Sequence, residues 1–219
     1  GWKDLVLIEK GELTSGSTWH AAGQCPQMMG SYNLAKIHLE SNNLYKKLEK
    51  ETGQPTGFHE CGSLRIAYKK EDLDWFKYVK GILDNIGAPS EIISTNEIKK
   101  VHPFIKLDKI LGAFHTLDDG HTDPTSTTNA MAKGARNYGA KIYRKNRVTD
   151  IKKLPSGEWK LITEKGDIVC EHVVNAAGSY GPEVGAMVGL KNIPSINMIH
   201  HYLVTDEHPS IAKLEKELP

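Results

Sequence analysis

Residues 5–9 read Leu5-Val6-Leu7-Ile8-Glu9, four aliphatic residues followed directly by a carboxylate. A short aliphatic run of this kind predicts a buried strand of a parallel sheet, because strands covered on both faces lose the polar alternation. In a dinucleotide-binding βαβ unit, a carboxylate at the end of the second strand accepts hydrogen bonds from the ribose hydroxyls, ~20 residues after a glycine fingerprint. Glu9 suits that role, although a strand-end glutamate is more often a solvated charge.

The rest of the chain alternates helical and extended patterns. Helices are predicted over residues 33–52, 72–86 and 124–138, with a short one opened by the capping box of residues 94–97. Strands are predicted over residues 58–68, 140–143, 147–153, 158–163, 168–170, 173–175 and 198–204. This order of elements predicts an α/β nucleotide-binding domain that is interrupted by a second domain.

The two ends of the sequence predict a piece of a longer protein, truncated at both ends. The chain opens almost inside the strand of residues 5–9, and it stops within the charged stretch of residues 213–217. A natural domain seldom begins on an interior strand, which needs neighbours on both sides. A short native N-terminus is the alternative.

Composition excludes several classes of protein. Lys and Arg number 28 against 27 Asp and Glu, so a net charge of +1 argues against a nucleic-acid partner. No apolar run approaches the ~20 residues that span a bilayer. The cysteines Cys25, Cys61 and Cys170 are too few and too far apart for a disulfide framework or a Cys-x-x-Cys zinc site. We therefore expect no metal, no membrane partner and a reducing, cytoplasmic compartment.

The loop over residues 13–23 reads LTSGSTWHAAG and is dense in glycine and hydroxyl side chains. Such a loop lets backbone amides and hydroxyls approach an anionic pyrophosphate closely. Its composition alone is more typical of an ordinary surface loop. Its position just after Glu9 favours the phosphate-binding interpretation.

These segments resemble the D-amino-acid-oxidase-like flavoproteins, and more narrowly the dimethylglycine and sarcosine dehydrogenases. The likeness covers nearly the whole chain, and the loop of residues 13–23 is its most specific part. Further similar segments are DG at 119–120, DP at 123–124, AKGA at 132–135, VNAAG at 174–178 and HHYLVT at 200–205.

The resemblance implies a Rossmann-like FAD-binding domain of the glutathione-reductase-like, D-amino-acid-oxidase type, interrupted by an α+β substrate domain. The FAD-binding domain would comprise residues 1–56, whose first βα unit is missing, and residues 124–190. The substrate domain would comprise the insertion of residues 57–123 and a second segment, of which residues 191–219 are the beginning.

The resemblance also implies which residues bind FAD. They are Glu9, Lys10, Gly16, Ser17, Thr18, His20, Ala22, Gly23, Val148, Ala177 and Gly178. In the family, the histidine of the Thr-Trp-His-Ala-Ala-Gly segment is covalently bonded to the 8α-methyl group of the FAD flavin. The resemblance therefore implies a covalent bond between FAD and His20. A neutral imidazole has the free nitrogen lone pair that this bond needs. A lone histidine beside Trp19 is otherwise more often a packed side chain.

The implied catalytic residues are His200, His201 and Tyr202, on the substrate side of the flavin. The family tends to have glutamine where His201 stands, so the assignment between the two histidines is ambiguous. Successive strand side chains point to opposite faces. We therefore expect only one histidine to reach the flavin, and we prefer His200, which would orient the amine or keep it unprotonated.

The resulting functional expectation is an FAD-dependent amine oxidoreductase that oxidises dimethylglycine or sarcosine by hydride transfer to covalently held flavin. Its partners would be the small amine and either an electron-transferring flavoprotein or oxygen, and a missing C-terminal part could use tetrahydrofolate. The chain alone is expected to bind FAD poorly and to be inactive.

Three alternatives remain at this point. They are a non-covalent FAD amino-acid oxidase, a glycerol-3-phosphate dehydrogenase-like enzyme, and a non-catalytic module of the same fold. For a eukaryotic protein, the mitochondrial matrix is the alternative to the cytoplasm.

Overall fold

The computed structural model describes residues 2–219, which form two compact units. Unit 1 contains the residues up to His20 together with Ala132–Asp206. Unit 2 contains Ala21–Met131 and Glu207–Pro219. Both units are therefore built from two stretches of chain. No helix among residues 2–219 is long and apolar enough to cross a membrane.

Ten strands and six α-helices make up the described residues. The strands are β1 (Val6–Ile8), β2 (Gln24–Cys25), β3 (Ser63–Ala67), β4 (Ser90–Ile93), β5 (Gly112–Thr116), β6 (Gly120–His121), β7 (Lys141–Tyr143), β8 (Val148–Lys153), β9 (Trp159–Thr163) and β10 (Ile168–Cys170). The helices are α1 (Tyr32–Thr52), α2 (Lys70–Ile86), α3 (Thr95–Val101), α4 (Pro124–Asn137), α5 (Gly181–Ala186) and α6 (Pro209–Ala212).

The long helices of unit 2 end where the sequence predicts. Gly53 and Gly87 follow α1 and α2 with φ angles of 64° and 79°, the left-handed conformation that glycine adopts without a steric penalty. The capping box of α3 is also present, because Ser94 accepts from the backbone N–H of Glu97 while the Glu97 carboxylate accepts from Ser94. Local chemistry thus sets these boundaries.

The core of unit 2 lies between α2 and an antiparallel sheet of strand order β3-β5-β4. Val79 and Leu83 of α2 are fully buried, and the Phe76 ring packs edge-on against Phe114 of β5 at 5.7 Å between ring centroids. Buried rings in this arrangement contribute both apolar area and a favourable quadrupole interaction. The sheet and helix therefore form a self-contained hydrophobic core.

Unit 1 has a smaller pair of sheets. β1 pairs in parallel with β7, and β8, β9 and β10 form an antiparallel meander in the order β10-β9-β8. A tight turn over residues 154–157 joins β8 to β9, as the Pro-Ser-Gly sequence predicts. The predicted strand of residues 5–9 is thus confirmed and has a parallel partner.

Two predicted strands are wrong. Residues 173–175 and 198–204 have no strand pairing in the structure, and Val174 is 80% exposed. A strand exists only when neighbouring backbone groups pair with it. Within residues 2–219 no such neighbour reaches either segment. β4 and β5 were not predicted, because their short runs lack a clear alternation.

The compact units divide the chain after His20, after Met131 and after Asp206. The sequence places domain boundaries at 56/57, 123/124 and 190/191, and these remain a prediction. The boundaries of compact units and the boundaries of ligand-binding domains need not fall at the same residues.

Candidate cofactor site

Glu9 lies at the carboxyl end of β1 and is held there by backbone pairing. Its N–H donates to the carbonyl of Tyr143 at 2.8 Å, and its carbonyl accepts from the N–H of Asn146 at 3.0 Å. One carboxylate oxygen, Oε1, accepts from the N–H of Gly11 at 2.7 Å. Among residues 2–219 no hydrogen bond reaches the second oxygen, Oε2.

The loop after Glu9 meets the turn that precedes α5, and both belong to unit 1. The Ser17 and Ser179 hydroxyl oxygens lie 3.5 Å apart. The ammonium of Lys10 lies 3.0 Å from the centroid of the Tyr180 ring, a cation–π contact. The structure therefore brings the loop of residues 13–23, which sequence analysis assigned to the pyrophosphate, next to the turn after Ala177 and Gly178, which it assigned to FAD.

The base of this loop is anchored by ion pairs. Glu12 accepts from Arg144 at 2.6 Å and lies 3.1 Å from the ammonium of Lys145. The hydrogen bond from Lys145 is the main cause that holds the pKa of Glu12 below its ordinary value, with Arg144 adding to it. The carboxylate therefore stays ionised and keeps both basic side chains engaged.

Two glycines assigned to the cofactor have left-handed backbones, but the space around their Cα atoms differs. Gly178 has a φ of 56°, and a Cβ there would meet no atom within 4 Å, so the turn leaves open space beside its backbone. Gly23 has a φ of 75°, and a Cβ there would lie 2.1 Å from the carbonyl oxygen of Thr122. Glycine at position 23 is thus required by packing within unit 2. Gly16 has open space around it.

His20 ends a single 3-10 turn over Thr18–His20, and its side chain is exposed. Its N–H donates to the carbonyl of Ser17 at 3.2 Å, and its ring packs against Trp19 with centroids 3.6 Å apart. Among residues 2–219 no hydrogen bond involves the His20 ring. An accessible imidazole of this kind can act as a nucleophile. Ala22 is also exposed.

Val148 begins β8, two residues after the buried Asn146 that binds the backbone of Glu9. A bulge interrupts the β8–β9 pairing between Val148 and Asp150. Bulges of this kind free backbone groups from the ladder. Val148 therefore lies in the same part of unit 1 as Glu9, which agrees with its assignment to the FAD-binding residues.

His200, His201 and Tyr202 are exposed and lie in a segment without regular structure. The alternation that was expected to separate the two histidines depends on a strand, which the structure does not have. Their assignment as substrate-side residues therefore remains a prediction.

A buried polar cluster in unit 2 was not predicted by sequence analysis, which named Asp119 only within the family-like segment DG at 119–120. Asp119 is 1% exposed and accepts from the Gln27 N–H at 2.8 Å, from Gln27 Nε2 at 3.1 Å and from the Ser63 hydroxyl at 2.5 Å. Burial raises the pKa of Asp119, against these hydrogen bonds, which lower it. Nothing in the sequence marks Gln27 as a partner, because it lies 92 residues away.

The model of the family described as FAD dependent oxidoreductase (DAO) matches residues 1–219, the whole chain. This protein belongs to the DAO family of FAD-dependent oxidoreductases. The expected family and fold class are confirmed. The residues present also fit the cofactor, because Glu9, the hydroxyls of the loop and the open turn at Gly178 lie together in unit 1.

Several curated proteins are similar to this chain over most of its length. Mitochondrial dimethylglycine dehydrogenase of Rattus norvegicus is 43% identical over 219 residues, which are 100% of this chain and 25% of the relative. The mitochondrial pyruvate dehydrogenase phosphatase regulatory subunit of Mus musculus is 33% identical, covering 94% and 24%. Mitochondrial sarcosine dehydrogenase of Homo sapiens is 32% identical, covering 98% and 24%. The chain spans about a quarter of the length of these relatives.

Among solved structures, the L-proline dehydrogenase of P. horikoshii superposes with a TM-score of 0.79 at 29% identity. The match covers 86% of this chain and 50% of that chain. The DAO fold therefore extends over most of the described residues.

Proposed function

We propose that this chain is part of an FAD-dependent dehydrogenase that oxidises an N-methyl group of dimethylglycine or sarcosine. The observation that carries the proposal is the 43% identity, over all 219 residues, to a dimethylglycine dehydrogenase. The activity belongs to the longer parent protein, because the chain spans a quarter of that relative. We expect the isolated chain to bind FAD poorly and to be inactive.

The cofactor would be held by residues that follow the carboxyl end of β1 and by residues in the turn before α5. Glu9 would accept hydrogen bonds from the ribose hydroxyls through its second carboxylate oxygen. The hydroxyls of Ser17 and Thr18, the ammonium of Lys10 and the backbone at Ala177 and Gly178 would face the pyrophosphate. FAD bound by these residues would supply the redox chemistry, as the acceptor of a hydride from the N-methyl carbon.

Val148 would contact the adenine through its backbone, and Ala22 and Gly23 would continue the loop toward the flavin. Val148 lies two residues after Asn146, whose N–H donates to the Glu9 carbonyl, and this supports the first assignment. For Gly23, the close approach of Thr122 is a sufficient reason for glycine, so a cofactor contact there would be an additional role.

His20 would tether the flavin covalently. The support is that its imidazole is exposed and accessible, which the attack of a nitrogen lone pair on the flavin 8α-methyl position requires. A covalent bond would hold the cofactor through denaturation. His200, with His201 and Tyr202 beside it, would orient the amine substrate and accept its proton, since hydride loss needs a free nitrogen lone pair.

The test is the parent protein with His20→Ala. The polypeptide is denatured in acid, and flavin fluorescence is measured on the protein band after gel separation. We expect bound flavin to disappear in this variant. His172→Ala is the matched control, because His172 is another exposed histidine of unit 1, packed beside Trp2. Flavin that stays attached to the His20→Ala polypeptide would refute the tether.

A non-catalytic role is the second candidate, favoured by the similarity to a phosphatase regulatory subunit. Anaerobic addition of dimethylglycine or sarcosine to the flavin-loaded parent distinguishes the two. Bleaching of the flavin absorbance is expected for the dehydrogenase. Unchanged absorbance with both amines would favour the regulatory role.

The remaining partners extend this proposal. The electron acceptor would be either an electron-transferring flavoprotein or oxygen, and tetrahydrofolate would take the one-carbon product in another part of the parent protein. A mitochondrial location is supported by the names of the mammalian relatives. Oxygen uptake during turnover, measured with and without an added flavoprotein acceptor, distinguishes the two electron routes.

A further inference from the structure

Unit 2 brings together three metal-binding side chains that come from distant parts of the chain. The Nδ1 atom of His59 lies 3.1 Å from Oε2 of Glu217, and Nε2 of His121 lies 2.7 Å from Oε1 of the same carboxylate. All three donor atoms lie within 4.8 Å of one another. Glu217 lies 158 residues from His59 and 96 from His121, so only the tertiary structure creates this cluster.

The backbone holds the two histidines in register. His59 and His121 form an antiparallel bridge, with N–H to carbonyl distances of 2.8 and 3.1 Å, and their rings stack with centroids 5.0 Å apart. On its other side His121 pairs with Gln24 of β2. A Cβ at Gly120 would lie 2.1 Å from the carbonyl oxygen of His59. Glycine at 120 therefore permits a close approach that places both imidazoles side by side.

We propose that His59, His121 and Glu217 form a binding site for a divalent transition metal ion, for which Zn²⁺ is the best fit. Two imidazole nitrogens and one carboxylate oxygen are a ligand set of zinc sites that keep a position open for water. Mg²⁺ and Ca²⁺ prefer oxygen ligands and fit the set less well. The DAO family's flavin chemistry does not need this ion, and sequence analysis predicted no metal site.

The distances suit such an ion with small adjustments. Zn–N and Zn–O bonds are about 2.0–2.2 Å long, so tetrahedral ligand atoms are separated by about 3.4 Å. The two nitrogen–oxygen separations of 2.7 and 3.1 Å would open slightly, and the two nitrogens already lie within 4.8 Å of each other. The ion would replace two hydrogen bonds, and each histidine would carry its proton on the nitrogen that faces away from Glu217.

The histidine and glutamate side chains are accessible to an incoming ion. Side-chain exposure is 55% for His59, 42% for His121 and 45% for Glu217. Two neutral imidazoles and one carboxylate carry a net charge of −1, which a divalent cation compensates. Because Glu217 belongs to the stretch of residues 207–219, the ion would fasten this stretch to the β2–β6 strand pair of the same unit. An ion that binds only the folded state also stabilises it.

The test uses the flavin-loaded parent protein, stripped of metal with a chelator and titrated with Zn²⁺ against a chromophoric zinc indicator. Glu217→Gln removes the carboxylate ligand, and Glu215→Gln is the matched control from the same exposed stretch. Loss of an outer-shell partner already costs about 10–100-fold in metal affinity, so we expect Glu217→Gln to weaken Zn²⁺ binding by about 100-fold or more. Glu215→Gln should bind like the unmodified protein.

Co²⁺ gives a second readout, because a tetrahedral site produces strong visible absorption that the histidine variants should lose. His59→Gln and His121→Gln are compared, and circular dichroism checks that each variant folds; where one does not, the other and Glu217→Gln decide. Equal Zn²⁺ affinity in Glu217→Gln and Glu215→Gln would overturn the proposal and leave a hydrogen-bonded triad. These measurements count metal ions, so their outcome is independent of flavin attachment and turnover.

Discussion

The two units bury their apolar residues to very different degrees. In unit 2, Val79, Leu83 and Phe114 are at most 1% exposed. In unit 1, Leu7 of the parallel sheet is 42% exposed and Val174 is 80% exposed. Parallel sheets are normally covered on both faces, and within residues 2–219 the parallel sheet of unit 1 has two strands. Unit 2 therefore has a hydrophobic core of its own, whereas unit 1 carries most of the assigned cofactor residues on a thinner core.

Because unit 1 has the thinner core, bound flavin should matter more for its stability. A ligand that binds only the folded state adds to its stability. We expect the flavin to contribute more to the stability of unit 1 than to that of unit 2, because unit 1 gains less from its own side chains. The assigned residues between Lys10 and His20, and Ala177 and Gly178, all belong to unit 1.

The largest expected effect comes from Phe114→Ala in the parent protein. Removal of a buried aromatic ring from a packed core costs about 3–5 kcal/mol. Hydrogen exchange of β5 peptides measures this loss as reduced protection. Val174→Ala in unit 1 is the comparison, and it should change stability by no more than about 0.5 kcal/mol. Similar losses in both variants would break the contrast between the units.

A smaller loss is expected for Asp119→Ala. The change leaves the Gln27 and Ser63 donors without their acceptor in a buried place, which costs about 2–3 kcal/mol. Denaturant unfolding of the parent protein, followed by hydrogen exchange of the β3 peptide, measures it. Asp108→Ala, at an exposed position of unit 2, is the control and should be neutral. A neutral Asp119→Ala would mean that water replaces the carboxylate.

The smallest effect concerns pH. Burial lowers the pKa of His115 from its ordinary value, although the charges of Glu91 and Asp119 raise it. The unfolded chain therefore binds a proton more readily than the folded one, so the contribution of His115 to stability is present above about pH 6.5 and is lost as pH falls below it. In His115→Gln, the free energy of unfolding of unit 2 should depend less on pH below about pH 6.5. An unchanged pH dependence would mean that other titratable groups cause the loss of stability in acid.

Much of the fold follows from local sequence. The helix ends at Gly53 and Gly87, the capping box at Ser94 and the parallel strand before Glu9 are all present as predicted. These features depend on a few neighbouring residues, so periodicity and cap chemistry suffice to locate them. The resemblance of the loop over residues 13–23 likewise identified the DAO family.

The failures lie where a prediction needed a distant partner. Residues 173–175 have the composition of a strand, but within residues 2–219 no neighbouring backbone pairs with them. β5 lacks a clear alternation, yet it is the central strand of its sheet because β3 and β4 pair on either side. Pairing depends on where the rest of the chain lies, which composition does not record.

The sequence by itself determined the family, the helix boundaries and the residue types of the cofactor loop, because each is written in contiguous residues. Only the tertiary structure decided that Lys10 meets Tyr180, that Asp119 is buried against Gln27, and that Glu217 reaches His59 and His121. The physical reason is that short-range backbone preferences act between near neighbours. Contacts across 90 or more residues form only when sheets and loops have packed.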